Sequence, residues 1–171
     1  MLPTPPLRDG HLLVILSNPP TTSGARTLQR VQLAKETLGH STVSIANVFS
    51  ISTYRTRGIT IAGVEPEGWI AARSELTAAL KTADAVILAY GCQEPSGAAR
   101  YHFRDQLAWL QTEIDFLGLT VWMIDGQPRH PSRWHRHTHA QHPSLTFSEA
   151  LPVVLKEVIP KGSLTNSVPT G

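Results

Sequence analysis

Four short apolar runs rich in branched residues punctuate the chain at 12–16 (LLVIL), 43–48 (VSIANV), 85–89 (AVILA) and 119–124 (LTVWMI). Each is bounded by polar or turn-forming residues, and each is nearly continuous rather than alternating. That is the pattern of strands buried on both faces of a parallel sheet. Between the runs the period becomes helical. Ala25, Leu28, Val31, Ala34 and Leu38 keep helical spacing, with Thr22 or Ser23 as the N-cap and Gly39 as the stop. A second helix is predicted over Glu67 to Lys81. Phe103, Leu107, Leu110, Ile114 and Leu117 lay one apolar stripe against the sheet before Gly118 ends the helix. Leu151, Val154, Leu155 and Val158 predict a last, shorter helix.

The order is therefore βαβαβαβα, which implies a three-layer α/β/α sandwich with a central four-stranded, mainly parallel sheet. A chain of 171 residues, 41% hydrophobic, has the length for one core, so a single domain is expected over 11–160 with flexible ends at 1–10 and 161–171. Two stretches fit no element: 50–66, and the basic segment 126–147, which reads as a loop. Connections of that length inside a compact domain are functional or mobile.

No apolar core of an export signal follows the N-terminus, and nowhere do about eighteen apolar residues run together, so no membrane association and a cytoplasmic location are expected. The lone cysteine, Cys92, agrees with a reducing compartment. A net charge of +2 is too mild to announce nucleic acid, and only the distribution of charge is informative.

In open parallel sheets ligands bind outside the carboxyl ends of the strands, where loops and helix N-termini converge. All four predicted tips are polar. Ser17, Asn18, Pro19 and Pro20 follow the first run, and Asn47 closes the second beside Val48 and Phe49. Gly91, Cys92 and Gln93 follow the third, and Asp125 to Ser132 follow the fourth. An amide such as Asn47 inside an apolar strand needs partners, since a buried unpaired polar group costs about 1–3 kcal/mol. A structural tie between two loops supplies them. So does a ligand edge, such as the Watson–Crick face of a base. Phe49 and Gln93 are further candidates to face such a base.

From Gly126 to Ser148 the chain carries Arg129, Arg133, Arg136 and five histidines, with Trp134 among them and no acid. Guanidinium forks match phosphate or carboxylate oxygens in pairs, which makes Arg129 and Arg133, with Ser132, candidates for phosphate. Arg26 and Arg30 in the first helix, and Arg55 and Arg57 in the long connection, add to the field. The alternating histidines of "HRHTHAQH" invite a zinc reading, but no cysteine or clustered carboxylate assists them, and no metal is expected. Cys92 with His130 as base would make a thiol enzyme.

The stretches "LSNPPTTSG", "SIANVFSISTYRTRG", "DAVILAYG" and "DGQPRHPSRW" resemble, in order, the signatures of the domain-of-unknown-function 1643 family, over about 12–134. A more distant similarity is to the uracil-DNA glycosylase superfamily. Its members carry a motif ending in Asn-Pro or Asp-Pro after the first strand, an Asn at the end of the second and a His-Pro-Ser loop after the fourth. By that resemblance Asn18 would position a water at a sugar C1′, Asn47 would pair with the base, and His130 would stabilise charge on the leaving base. Ser132 and neighbouring N–H groups would hold phosphate, with no cofactor. The expected function is a base- or nucleotide-recognising protein with a glycosylase-like site, partnered by nucleic acid or a nucleotide. A non-catalytic binding module built on the basic 126–148 segment is the alternative from another class.

Overall fold

Among the described residues five strands, not four, make the sheet. The computed structural model describes residues 8–53 and 58–159, with strand order β2-β1-β3-β4-β5. The strands are β1 (Arg8–Leu16), β2 (His40–Asn47), β3 (Ala85–Leu88), β4 (Thr120–Ile124) and β5 (Leu155–Val158). The first four are parallel, and β5 runs antiparallel to β4. The apolar stripe expected as one last helix divides: α6 covers Phe147–Val154, and the next four residues become β5. Pro152 removes an N–H from α6, and the residues beyond it pair with β4 instead, burying Leu155 while Lys156 and Glu157 stay exposed.

β1 begins four residues ahead of its apolar run. His11 joins it to β2 through hydrogen bonds between Nδ1 and Thr42 Oγ1 (2.7 Å) and between Nε2 and Ser44 Oγ (2.6 Å), a polar ladder that hydrophobic patterning does not register. Helix α1 (Ala25–Leu38) starts from Gly24 in the left-handed region with no side-chain cap, rather than from Thr22 or Ser23. It ends at Gly39 (φ 75°), whose N–H returns to the carbonyls of Lys35 and Glu36. Val31 and Ala34 are buried, but Leu28 is exposed.

Neither expected loop is wholly irregular. The first holds the short helix α2 (Gly58–Ala62) ahead of α3 (Glu67–Thr82). The second folds as α5 (Pro131–Gln141), following α4 (Ala98–Leu117) and β4. Pro131 at the first helical position is pre-set for a helix, and Pro131, Trp134 and Thr138, three and four residues apart, form its buried side.

Leu13, Ile15 and Val86 pack with Leu76, Leu80, Leu110 and Ile114 of α3 and α4 on one face of the sheet. Leu12, Val14 and Ile87 pack with Val31, Ala34, Trp134 and Leu151 of α1, α5 and α6 on the other. The result is three layers. Because β2 and β3 lie on opposite sides of β1, the connections leaving β1 and β3 part at their carboxyl ends and open a crevice. Among the described residues no helix is long and apolar enough to cross a membrane.

Candidate functional site

A cavity of about 970 Å³ occupies that crevice. It is lined by Ser17 and Asn18 after β1, Val48 and Thr53 after β2, and Tyr90 to Pro95 after β3. Arg129, His130 and one side of α5 complete the polar rim. Trp69 and Phe103 form its apolar wall with ring centroids 6.2 Å apart, and Tyr90 meets Phe103 edge-on at 6.0 Å. Ligand cavities of about 300–1,000 Å³ admit molecules of nucleotide size.

Asn18 reaches this position because two prolines end β1 abruptly. Its amide nitrogen donates to the carbonyl of Ile51 (3.1 Å) and to Thr53 Oγ1 (2.9 Å). Both amide hydrogens are thereby engaged. The side-chain oxygen has no partner among the described residues and is the atom left for a ligand or water.

His130 is the N-cap of α5. Its Nδ1 accepts the backbone N–H of Ser132 (3.1 Å) and lies 2.9 Å from Ser132 Oγ. An accepting Nδ1 leaves the hydrogen of the neutral ring on Nε2. Burial pushes the imidazole below its ordinary value, and the neighbouring cations Arg30 and Arg133 push it the same way. Arg30 is itself held by donating to the carbonyl of Pro131 at 2.6 Å.

From the cap onward α5 turns Arg133, Arg136, His137 and Ala140 to the cavity, the spacing of one helical face. Arg129 adds a third guanidinium, and its Nε is buried with no partner among the described residues. The acid in the lining, Glu94, is gripped by Arg104 through two hydrogen bonds of 3.0 and 2.9 Å and is approached by Arg100. Those bonds hold its carboxyl below the usual range, so Glu94 stays ionised but neutralised. The cavity is therefore cationic and suited to an anion. Tyr90, raised by burial and by the neighbouring Cys92, keeps its hydroxyl hydrogen.

Six residues singled out in the sequence thus meet in one cavity: Asn18, Gln93, Arg129, His130, Ser132 and Arg133. Cys92 lines it as well. Asn47 does not. It pairs with Leu16, which packs on the α1 side, and its Oδ1 is buried without a partner among the described residues. Phe49 is wholly buried under Gly68, 4.5 Å from Trp69 between centroids, and its ring meets protein rather than the cavity. Arg26 is exposed on the first turn of α1 away from the lining, and Arg55 and Arg57 lie outside the described residues. Trp134, in the middle of the basic segment, is fully buried and donates Nε1–H to the carbonyl of Arg129 (2.7 Å).

On the helix His137 faces away from His135 and His139, so the three rings do not converge. Among the described residues no group of three or more His, Cys, Asp or Glu is placed to hold a metal ion.

Two contributors escaped the sequence reading. Asp125, at φ 48°, accepts from His137 Nε2 at 2.5 Å and pairs with Lys156 Nζ at 2.9 Å. Burial raises its carboxyl, but the hydrogen bonds from His137 and Lys156 outweigh that and leave it lowered. Gln106, fully buried in α4, donates to the carbonyls of Val48 (2.9 Å) and Trp69 (2.8 Å) and accepts from Arg73 Nε (2.8 Å). It ties two parts of the cavity wall together. A buried glutamine in a helical stripe has no sequence signal. Asp125 before glycine had one, as a turn signal, but nothing in the chain connects it with His137.

A family model described as "Protein of unknown function (DUF1643)" matches residues 7–132. No curated protein and no solved structure matches the chain.

Proposed function

The chain belongs to the DUF1643 family, whose description states no activity, and we propose that its cavity binds a nucleotide, free or within a DNA strand, and hydrolyses the N-glycosidic bond. The observation that carries this reading is the convergence of Asn18, after β1, with Arg129 and His130, after β4, on one cationic cavity.

Each group has chemistry suited to a part of such a substrate. The aromatic wall of Trp69, Tyr90 and Phe103 suits a planar base, and Gln93 offers an amide to its edge. Arg129 and Arg133 suit the phosphate. Cleavage of an N-glycosidic bond develops positive charge on the sugar and negative charge on the base, so a fixed hydrogen donor at the base matters more than a strong nucleophile. The Nε2–H of neutral His130 is such a donor. The free oxygen of Asn18 accepts a hydrogen from the attacking water. The order of motifs, with an amide after β1 and His-Pro-Ser after β4, is similar to that of the uracil-DNA glycosylase superfamily, and we extend that likeness to the fold.

The test is release of free base, followed by chromatography, from nucleoside 5′-monophosphates and from single-stranded and duplex DNA that includes uracil. Asn18→Ala and His130→Ala are expected to lower kcat by about 10²–10³-fold, with nucleotide affinity changed only a few-fold. Binding without release in the wild type overturns the hydrolysis and favours a non-catalytic nucleotide-binding module. Neither binding nor release overturns the whole reading.

A further inference from the structure

Two imidazoles face the cavity from α5, and local hydrogen bonds give them opposite roles. At His130 the hydrogen of the neutral ring sits on Nε2, because Nδ1 accepts from Ser132 N–H. At His137 it is Nε2 that is taken, 2.5 Å from Oδ2 of the Asp125 carboxylate. An ionised carboxylate only accepts, so Nε2 of His137 donates, and the lone pair of its neutral ring is on Nδ1.

Asp125 is fixed from several sides. With Gly126 it makes the two-residue turn between Ile124 and Gln127, the two turn residues at positive φ (48° and 73°), and its N–H donates to the carbonyl of Val154 (2.8 Å). Lys156 Nζ, 2.9 Å from Oδ1, fixes the second carboxylate oxygen. His137 follows His130 by seven residues, about two helical turns, and both line the same cavity.

We propose that His137, oriented by Asp125, is the general base for the attacking water, opposite His130 as hydrogen donor. This rests on the hydrolytic reading above. In the step, one O–H bond of the water breaks, its proton passes to Nδ1 of His137, and its oxygen bonds to C1′. The C1′–N bond breaks with its electron pair leaving on the base, whose anion is held by a hydrogen bond from His130 Nε2–H and takes its proton from solvent. Loss of the captured proton to solvent restores His137. Asp125 is a positioning residue that keeps the lone pair of His137 toward the cavity.

The experiment measures base release by His137→Gln, which retains an N–H for Asp125 but has no titrating nitrogen. Its kcat is expected to fall by about 10²-fold or more with KM within about threefold, the range of a lost general base. His137→Gly is expected to be partly restored by added imidazole, and His139→Ala, exposed on the same helix, to turn over at the wild-type rate. Asp125→Asn should lower kcat with KM little changed. A kcat within threefold of wild type in His137→Gln overturns the proposal. So does a loss in His137→Gly that imidazole fails to restore while thermal melting matches wild type. These outcomes are distinct from failure of the hydrolytic reading, in which the wild type itself releases no base.

Discussion

The side-chain amide of Gln106 donates to the carbonyl of Val48 at 2.9 Å, joining helix α4 to the segment that leaves β2 at the rim of the cavity. The same nitrogen donates to Trp69, so one buried amide sets the spacing of two cavity-lining residues. Gln106→Leu preserves apolar volume but strands two buried carbonyls. We expect a loss of about 3 kcal/mol of stability in urea denaturation, together with weaker nucleotide binding. An unchanged midpoint would show that those carbonyls find other partners.

His130 titrates below the ordinary imidazole value of 6.5, because of burial first and then Arg30 and Arg133. The unfolded chain therefore binds a proton at this residue more readily than the folded protein. By linkage, this contribution to stability is present above the unfolded value and is lost as pH falls through the folded one. NMR titration of the ring should give a midpoint below 6.5, and Arg133→Gln should move it upward. A midpoint at or above 6.5 in the wild type would contradict the neutral donor assigned to this ring.

Trp134→Phe keeps most of the apolar burial but removes the hydrogen bond to the carbonyl of Arg129. The expected cost is about 1 kcal/mol in stability, with looser placement of Arg129 and lower affinity for nucleoside monophosphates by calorimetry. Full retention of affinity would mean that Arg129 is positioned without the indole.

Arg129→Ala removes the guanidinium whose Nε is buried and unpartnered. With the guanidinium that lines the cavity gone, the variant should bind nucleotide about tenfold or more weakly. The slope of log affinity against log salt on DNA should also shrink by about one unit. Equal slopes in the two proteins would remove Arg129 from the phosphate site.

Much of the fold was legible along the chain for a specific reason. The runs 12–16 and 85–89 are apolar at every position because they are covered by helices on both faces, and their shortness and turn-forming flanks mark them as strands. The stripe from Phe103 to Ile114 marked α4, and Gly39 and Gly118 marked helix ends by the left-handed conformation that each adopts. The polar tips were legible too, since an interruption of an apolar run by Asn18 or by His130-Pro131-Ser132 is a local event.

Contacts between distant residues were not. The same apolar stripe at 151–158 serves a helix or a helix followed by a strand, and the free edge of β4 selected the second. The basic segment read as a loop because its buried face holds a proline, a tryptophan and a threonine rather than an aliphatic stripe. Asn47 is at a strand tip in the sequence, but its register with Leu16 puts it on the α1 side of the sheet, a matter of pleat and pairing. The sequence alone determined which stretches are buried strands and where polar chemistry interrupts them, because periodicity and local backbone preference act over a few residues. Which of those groups share a cavity, and that Asp125 bonds His137 at its edge, was decided only in three dimensions, where strand order and helix facing join residues that no local rule connects.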